Sequence, residues 1–221
     1  MRGRFITLEG GEGTGKSTQA TMLVERLRGF LIKVVQTREP GGSTGAEVIR
    51  HVILSGAAKP FGPEAEAILF AAARADHLRQ TIQPALERGQ WVISDRFADS
   101  TRIYQGVLGN VDPRLISRLE KVTVGDLIPD LTIILDVAPD VGLRRASERR
   151  GNAEVDRFEA EAFDFHKKLR EAYLELAERE PKRCVVINAG ADPATVAEFV
   201  WSAVNSRLNP PQAPQMVRDA S

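Results

Sequence analysis

Eight consecutive residues carry the most explicit chemistry in the 221-residue chain: Gly10-Gly11-Glu12-Gly13-Thr14-Gly15-Lys16-Ser17. They fit the pattern G-x-x-x-x-G-K-[ST], whose glycines let the backbone wrap a phosphate with its N–H groups turned inward. Lys16 is placed to neutralise β- and γ-phosphates, and the Ser17 hydroxyl is the type of group that binds Mg²⁺. A helix beginning near Lys16 would add its positive N-terminus to the same anion. A flexible glycine turn is the plain alternative. The strand-like Phe5-Ile6-Thr7-Leu8 before the loop and the helix-like run after it supply the context a phosphate loop requires. The stretch from Gly10 to Thr18 is therefore expected to hold the phosphates of a nucleoside triphosphate with Mg²⁺.

A guanine-reading Asn-Lys-x-Asp and a switch Asp-x-x-Gly are both missing from the sequence, which argues against a GTPase switch. The rest of the chain offers a second anion site instead. Asp95-Arg96 follows the strand-like Trp91-Val92-Ile93-Ser94. Ligands of open α/β sheets bind beyond the carboxyl ends of strands, so both side chains are expected to face the phosphate loop. Asp95 suits Mg²⁺ or its waters, and Arg96 can fork onto a phosphate. A structural ion pair at a strand end is the bland reading of the same dipeptide. Thr37-Arg38-Glu39-Pro40-Gly41-Gly42 brings a carboxylate and a cation into a glycine-rich turn, with Arg50 on the helix after it. Phe70, Arg74 and His77 are spaced i, i+4, i+7 and share one helix face. An aromatic ring with a guanidinium suits a stacked base near a phosphate. Taken alone, Phe70 reads as core, and His77 reads as a satisfied histidine and not a catalyst.

These residues need a rigid scaffold. Apolar strands at 5–8, 31–35, 91–94, 131–135 and 184–187 alternate with helical patterns at 45–54, 63–88, 97–124, 139–149, 161–180 and 193–208. The helical pattern over 97–124 is broken between Gly106 and Pro113. Short apolar strands separated by helices predict a five-stranded parallel sheet covered on both faces, one doubly wound α/β domain. Thirty basic and thirty acidic residues balance, so nothing marks a general nucleic-acid binder. The single cysteine, Cys184, precedes Val185-Val186-Ile187 and reads as a small core residue in a chain without an internal disulfide, as fits the reducing cytosol. No apolar run is long enough to cross a bilayer and the N-terminus has no signal-peptide core, so a soluble, intracellular protein is expected. The Pro-rich end, residues 209–221, is expected to fray.

At this point the sequence is similar to the bacterial thymidylate kinases, P-loop kinases of nucleoside monophosphates, from Arg4 to about Leu208. The resemblance is carried by Phe5-Ile6-Thr7-Leu8-Glu9-Gly10 with its loop, Arg38-Glu39-Pro40-Gly41-Gly42, Ser94-Asp95-Arg96, Asp99-Ser100-Thr101, Tyr104-Gln105-Gly106 and Asp156-Arg157-Phe158-Glu159. It implies the P-loop NTPase fold, strand order 2-3-1-4-5, a homodimer, a cytoplasmic location, and transfer of the ATP γ-phosphoryl group to dTMP in dTTP biosynthesis. It also implies that Glu39 sits by the deoxyribose 3′-hydroxyl and the metal, and that Arg50 and Arg96 hold the acceptor phosphate. Phe70 would stack on thymine, Arg74 would bond a base carbonyl, Thr101 and Gln105 would line the base pocket, and Tyr104 would crowd the sugar C2′. Two positions depart from the family pattern: Phe97 stands where a tyrosine or histidine is common, and Thr14 where a smaller residue is frequent.

Arg144, Arg145, Arg149 and Arg150 precede Gly151-Asn152. A charge run is ordinarily a solvated helix face. Phosphoryl transfer, however, spreads negative charge that guanidinium groups on a closing lid can stabilise. The phosphate loop carries Glu12 and no arginine, which in the family goes with catalytic arginines on the lid, here about residues 144–157. Lys16, Arg96, Arg149, Arg150 and Glu12 are the expected catalytic set. A kinase for another nucleoside monophosphate or for a deoxynucleoside is the alternative within the same chemistry. A nucleotide-binding regulator without turnover is the alternative outside it.

Overall fold

The structure, a computed structural model, describes residues 2–150, 158 and 160–210, and only the backbone of Arg150. Five strands, β1 (Phe5–Glu9), β2 (Val34–Arg38), β3 (Trp91–Asp95), β4 (Leu131–Asp136) and β5 (Cys184–Asn188), form one parallel sheet in the order β2-β3-β1-β4-β5. The expected order and class are therefore observed. β1 lies at the centre, with Thr7 opposite Ser94 of β3 on one side and opposite Thr132 of β4 on the other.

Side chains alternate across a strand, so each face of β1 has its own partners. Ile6 and Leu8 join Leu131, Ile133 and Leu135 against helices α1 (Lys16–Gly29) and α9 (Pro193–Leu208). Phe5, Thr7 and Glu9 point to the opposite face. There Phe5 packs with Leu78, Ile82, Leu86 and Phe97, and Ile134 packs with Tyr173 and Leu176 of a helix over Phe163–Arg179. Helices over Thr44–Leu54 (α2) and Gly62–His77 (α3) pack on one another beside that face. The remaining α-helices among the described residues are α4 (Gln83–Glu87), α5 (Ala98–Thr101), α6 (Pro113–Thr123) and α7 (Pro139–Arg150), which makes the Phe163–Arg179 helix α8.

Three expected elements differ. The strand expected over 31–35 is observed as Val34–Arg38. Leu31 has a left-handed backbone (φ 60°), and Ile32 N–H bonds back to Leu27 O, so both residues close α1 instead of laddering. β2 then runs on through Gln36-Thr37-Arg38, polar residues that an edge strand tolerates. The helix expected over 63–88 ends at His77, widens into a π turn over Leu78–Ile82, and resumes as α4. Pro84 offers no amide hydrogen to the helical ladder just after that turn. A second π stretch, Arg102–Leu108, continues α5 up to the expected break, and α6 then starts at Pro113 with the Asp112 carboxylate accepting Arg114 N–H at 2.8 Å. Cys184 is buried on β5, and burial pushes its thiol up to about 12, so it is a packing residue as expected.

Candidate active site

The phosphate loop leaves the carboxyl end of β1. Gly13 has φ 66°, and a Cβ there would lie 1.8 Å from Gly142 O, so only glycine fits this close approach to α7. Thr14 is accommodated because its hydroxyl donates to Gly11 O at 3.1 Å. The Lys16 ammonium is buried and donates to Gly10 O (3.2 Å) and Gly11 O (2.7 Å). Burial first, and the Arg96 charge second, push its pKa down to about 8. A cation so held gains most from an arriving phosphate. Ser17 Oγ donates to Asp95 Oδ2 at 2.5 Å, so the two residues expected at the metal meet at the end of β3.

Arg96 turns the chain from β3 toward α5 with φ 70°, a conformation rarely adopted outside glycine. Its N–H donates to Leu8 O at 2.9 Å, and its carbonyl accepts Ser94 Oγ at 2.8 Å. The guanidinium donates to Glu12 Oε1 at 2.5 Å and Gly10 O at 3.2 Å, and lies 5.2 Å from the centre of the Tyr104 ring. The Tyr104 hydroxyl donates to the same Glu12 oxygen at 3.1 Å. Burial opposes ionisation of Glu12, yet Arg96 and Lys16 outweigh it and hold the carboxyl at about 2. Glu12 is thus an anion fixed between the two cations, too acidic to serve as a base near neutral pH.

Across a cleft of about 340 Å³ lies the second half of the site. Its walls include Glu39, Arg50, Phe70, Arg74, Asp95, Arg96, Thr101, Tyr104 and Gln105, every residue expected at the acceptor. Glu39 accepts Arg74 Nε at 2.7 Å in a pair whose side chains are each only 4% exposed. Arg74 Nη2 also donates to Thr101 Oγ1 (2.9 Å) and Phe97 O (3.3 Å), and its guanidinium lies over the Phe97 ring. Phe97 is an apolar floor beneath the Arg74 guanidinium. His77 is wholly buried between Thr37 Oγ1 (2.6 Å) and Glu39 Oε1 (3.0 Å), a core histidine as expected. Arg50 donates to Pro40 O at 2.6 Å.

The arginine run divides. Arg145 donates to Ala189 O (2.7 Å) and Gly190 O (3.0 Å) in the loop between β5 and α9, and Arg144 is exposed. Arg149 lines the cleft, and it also lines a neighbouring cavity of about 330 Å³ between Gly13, Thr18, Arg145 and the loop at Gly190-Asp192. Its charge contributes to the depressed pKa of Glu12. The Arg150 side chain and residues 151–157 of the expected lid lie outside the described residues, as do 211–221 of the tail.

Sequence reading gave no role to several residues the structure brings here. Phe158 lines the cleft, 5.3 Å from the Tyr104 ring and 6.4 Å from Phe70. Buried Glu9 and Tyr173 form a cluster beside Arg96 with the half-buried Ser100, which lines the cleft. Asp99 makes a two-pronged pair with Arg183 (2.7 and 2.8 Å), with side chains 3% and 12% exposed. Glu9, Asp99, Ser100 and Phe158 lie in the motifs that carry the family resemblance, whereas Tyr173 and Arg183 had no such signal. The Asp99 pair joins residues far apart in sequence. Asp99→Ala strands the arginine charge and is expected to lower folding stability by roughly 3 kcal/mol, measured by urea unfolding. A loss below about 1 kcal/mol would mean that Glu180 alone satisfies Arg183.

A phosphate loop facing a second, cationic and aromatic pocket across one cleft defines a P-loop nucleotide kinase, which brings two phosphorylated ligands end to end. Residues 8–200 match the family model described as thymidylate kinase. The chain is 59% identical over 212 residues to a thymidylate kinase of Bradyrhizobium diazoefficiens, covering 96% of this chain and 93% of that one. It is 60% identical over 207 residues to a thymidylate kinase of Nitrobacter winogradskyi, covering 94% and 90%. The crystal structure of thymidylate kinase from Ehrlichia chaffeensis superimposes with a TM-score of 0.74 at 30% identity, covering 92% of this chain and all of that one. The chain belongs to the thymidylate kinase family.

Proposed function

We propose that the protein transfers the γ-phosphoryl group of ATP to dTMP, giving ADP and dTDP. The observation that carries this reading is the cleft itself. Lys16, Ser17 and the loop stand on one side, and Phe70, Arg74, Thr101 and Gln105 on the other, with Arg96 between them. The loop and Lys16 would hold the donor's β- and γ-phosphates, and the neighbouring cavity beside Arg145 and Gly190 would take the donor's base and ribose. Arg96 and Arg50 would hold the acceptor phosphate. Phe70 would stack on thymine, Arg74 would bond a base carbonyl, and Glu39 would meet the 3′-hydroxyl.

The acceptor oxygen is already anionic, so the site needs no strong general base. Positioning and electrostatic stabilisation carry the rate. Among the described residues no group of three or more His, Cys, Asp or Glu could hold a metal. The Ser17–Asp95 oxygen pair fits Mg²⁺, which takes one or two protein oxygens and completes its shell with water and phosphates. When bound, Mg²⁺ would offset charge on the β- and γ-phosphates. The family resemblance further supports a homodimer, and exposed Val48, Val52 and Ile68 on α2 and α3 offer an apolar face for it. No described helix is long and apolar enough to cross a membrane; the cytoplasm is proposed because both substrates are nucleotides found there.

An acceptor panel tests the reading: ADP release is measured with dTMP, dUMP, dGMP, AMP and thymidine. dTMP is expected to have the highest kcat/KM. A faster AMP or dGMP would assign a different monophosphate, and ATP binding without acceptor-dependent turnover would leave a regulator. Tyr104 sets a second expectation. Its ring is fixed between Arg96 and Phe158, facing the cleft. Tyr104→Ala should narrow the kcat/KM preference for dTMP over its ribose analogue by about tenfold, whereas Tyr104→Phe keeps the ring and the preference. An unchanged ratio in the alanine variant would reduce Tyr104 to a packing residue.

A further inference from the structure

Glu9 ends β1 directly before the phosphate loop, yet the pleat turns its side chain away from the loop, onto the face shared by Phe5 and Thr7. It is fully buried and does not line the cleft. Oε1 accepts the N–H of Phe97 at 2.8 Å. Oε2 accepts Ser100 Oγ at 2.7 Å and the Tyr173 hydroxyl at 2.9 Å. Phe97 is the residue immediately after Arg96, whose backbone is left-handed at φ 70°. The Ser100 hydroxyl, in turn, lies 3.4 Å from Arg96 Nη1. The buried carboxyl group thus clasps both the backbone after Arg96 and a partner of its guanidinium.

We infer that Glu9 is a positioning residue for Arg96: from behind the β3–α5 turn it holds the left-handed backbone that aims the guanidinium at the acceptor phosphate. Arg96 is in a sparsely populated conformation, which persists only when neighbouring groups over-determine it. The other restraints are Leu8 O on its N–H and Ser94 Oγ on its carbonyl. The third, on the following N–H, is Glu9. Without it the Phe97 amide is buried with no acceptor, and the turn is free to flip it toward one. Charge is not what the clasp requires. Burial, and next the Asp99 carboxylate, push the Glu9 carboxyl up to about 7 against the opposing pull of Arg96, so its neutral form is readily present. A neutral amide of the same shape can accept from Phe97 N–H and donate to Ser100 or Tyr173.

This rests on the reading that Arg96 holds the acceptor phosphate, and the test separates the two. Steady-state kinetics with dTMP and ATP varied independently are measured for Glu9→Ala, Glu9→Gln, Tyr173→Phe and Arg96→Ala, with thermal unfolding as the check on folding. A misplacement of about 1 Å can cost about 10²-fold. Glu9→Ala is therefore expected to lower kcat/KM for dTMP by roughly 30-fold, with KM for ATP changed less than about twofold. Glu9→Gln should stay within about threefold of the parent, since shape and hydrogen bonds survive. Tyr173→Phe removes one support of Oε2 and should cost severalfold, again on the dTMP side. A folded Glu9→Ala enzyme with normal dTMP kinetics overturns the inference. So does an equal rise of KM for ATP, which would make Glu9 a prop of the phosphate loop, or a glutamine variant as poor as the alanine one. If Glu9→Ala does not fold, Tyr173→Phe decides, and unchanged dTMP kinetics in it count against the inference. Normal dTMP kinetics in Arg96→Ala would sink the acceptor-phosphate reading itself.

Discussion

Replacing Arg149 and Arg150 together by alanine is expected to lower kcat by roughly 10³-fold or more, with little change in KM for ATP. The charge that develops on the transferred phosphoryl group needs guanidinium partners, and the phosphate loop supplies none, since its one ionisable residue besides Lys16 is Glu12. Arg149 lies in the last turn of α7, where it lines both the cleft and the neighbouring cavity, so it stands at the border between the proposed donor and acceptor sides. Arg145 donates to the carbonyls of Ala189 and Gly190 and, unlike Arg149, does not line the cleft, so the rate effect is assigned to the later pair. Two adjacent arginines can partly replace one another, so each single variant should lose much less than the double. An interaction made mainly in the transition state appears in kcat and not in KM. Retained kcat with a raised KM for ATP would make these arginines nucleotide-binding residues only.

Lys16→Ala is expected to lower kcat by roughly 10²-fold or more at saturating ATP, the usual scale for a lost electrostatic donor. The ammonium is buried among the loop carbonyls, with Glu12 and Asp95 favouring its charge against burial and Arg96. Truncation removes the cation proposed to face the γ-phosphate and relieves burial of a charge, so folding stability should hold or rise slightly. Near-normal turnover in the variant would mean that the loop binds phosphate without acting on it.

The fold was largely legible in the chain. Five apolar runs separated by helical patterns dictate a covered parallel sheet, because strands buried on both faces must be apolar throughout. The phosphate loop was equally legible, since its chemistry is local: the glycines, lysine and hydroxyl act within one turn of backbone. β2 was misplaced by three residues at its start because an edge strand accepts Gln36-Thr37-Arg38, while the apolar Leu31-Ile32 close α1. Periodicity cannot tell those two uses of apolar residues apart.

What the sequence by itself determined was the phosphate-loop motif and the class of sheet, and its resemblance to a family added a set of residues expected at the acceptor. Only the tertiary structure decided how those residues act on one another. It made Glu12 the anion between Arg96 and Lys16, locked Arg74 onto Glu39, buried His77 behind that pair, and drew Glu9, Ser100 and Tyr173 into one clasp behind Arg96. The physical reason is range. A turn or a helix face is set by neighbours a few residues apart, whereas the partners of a buried charge come from wherever the sheet order places them, and here Glu9 and Tyr173 are 164 residues apart.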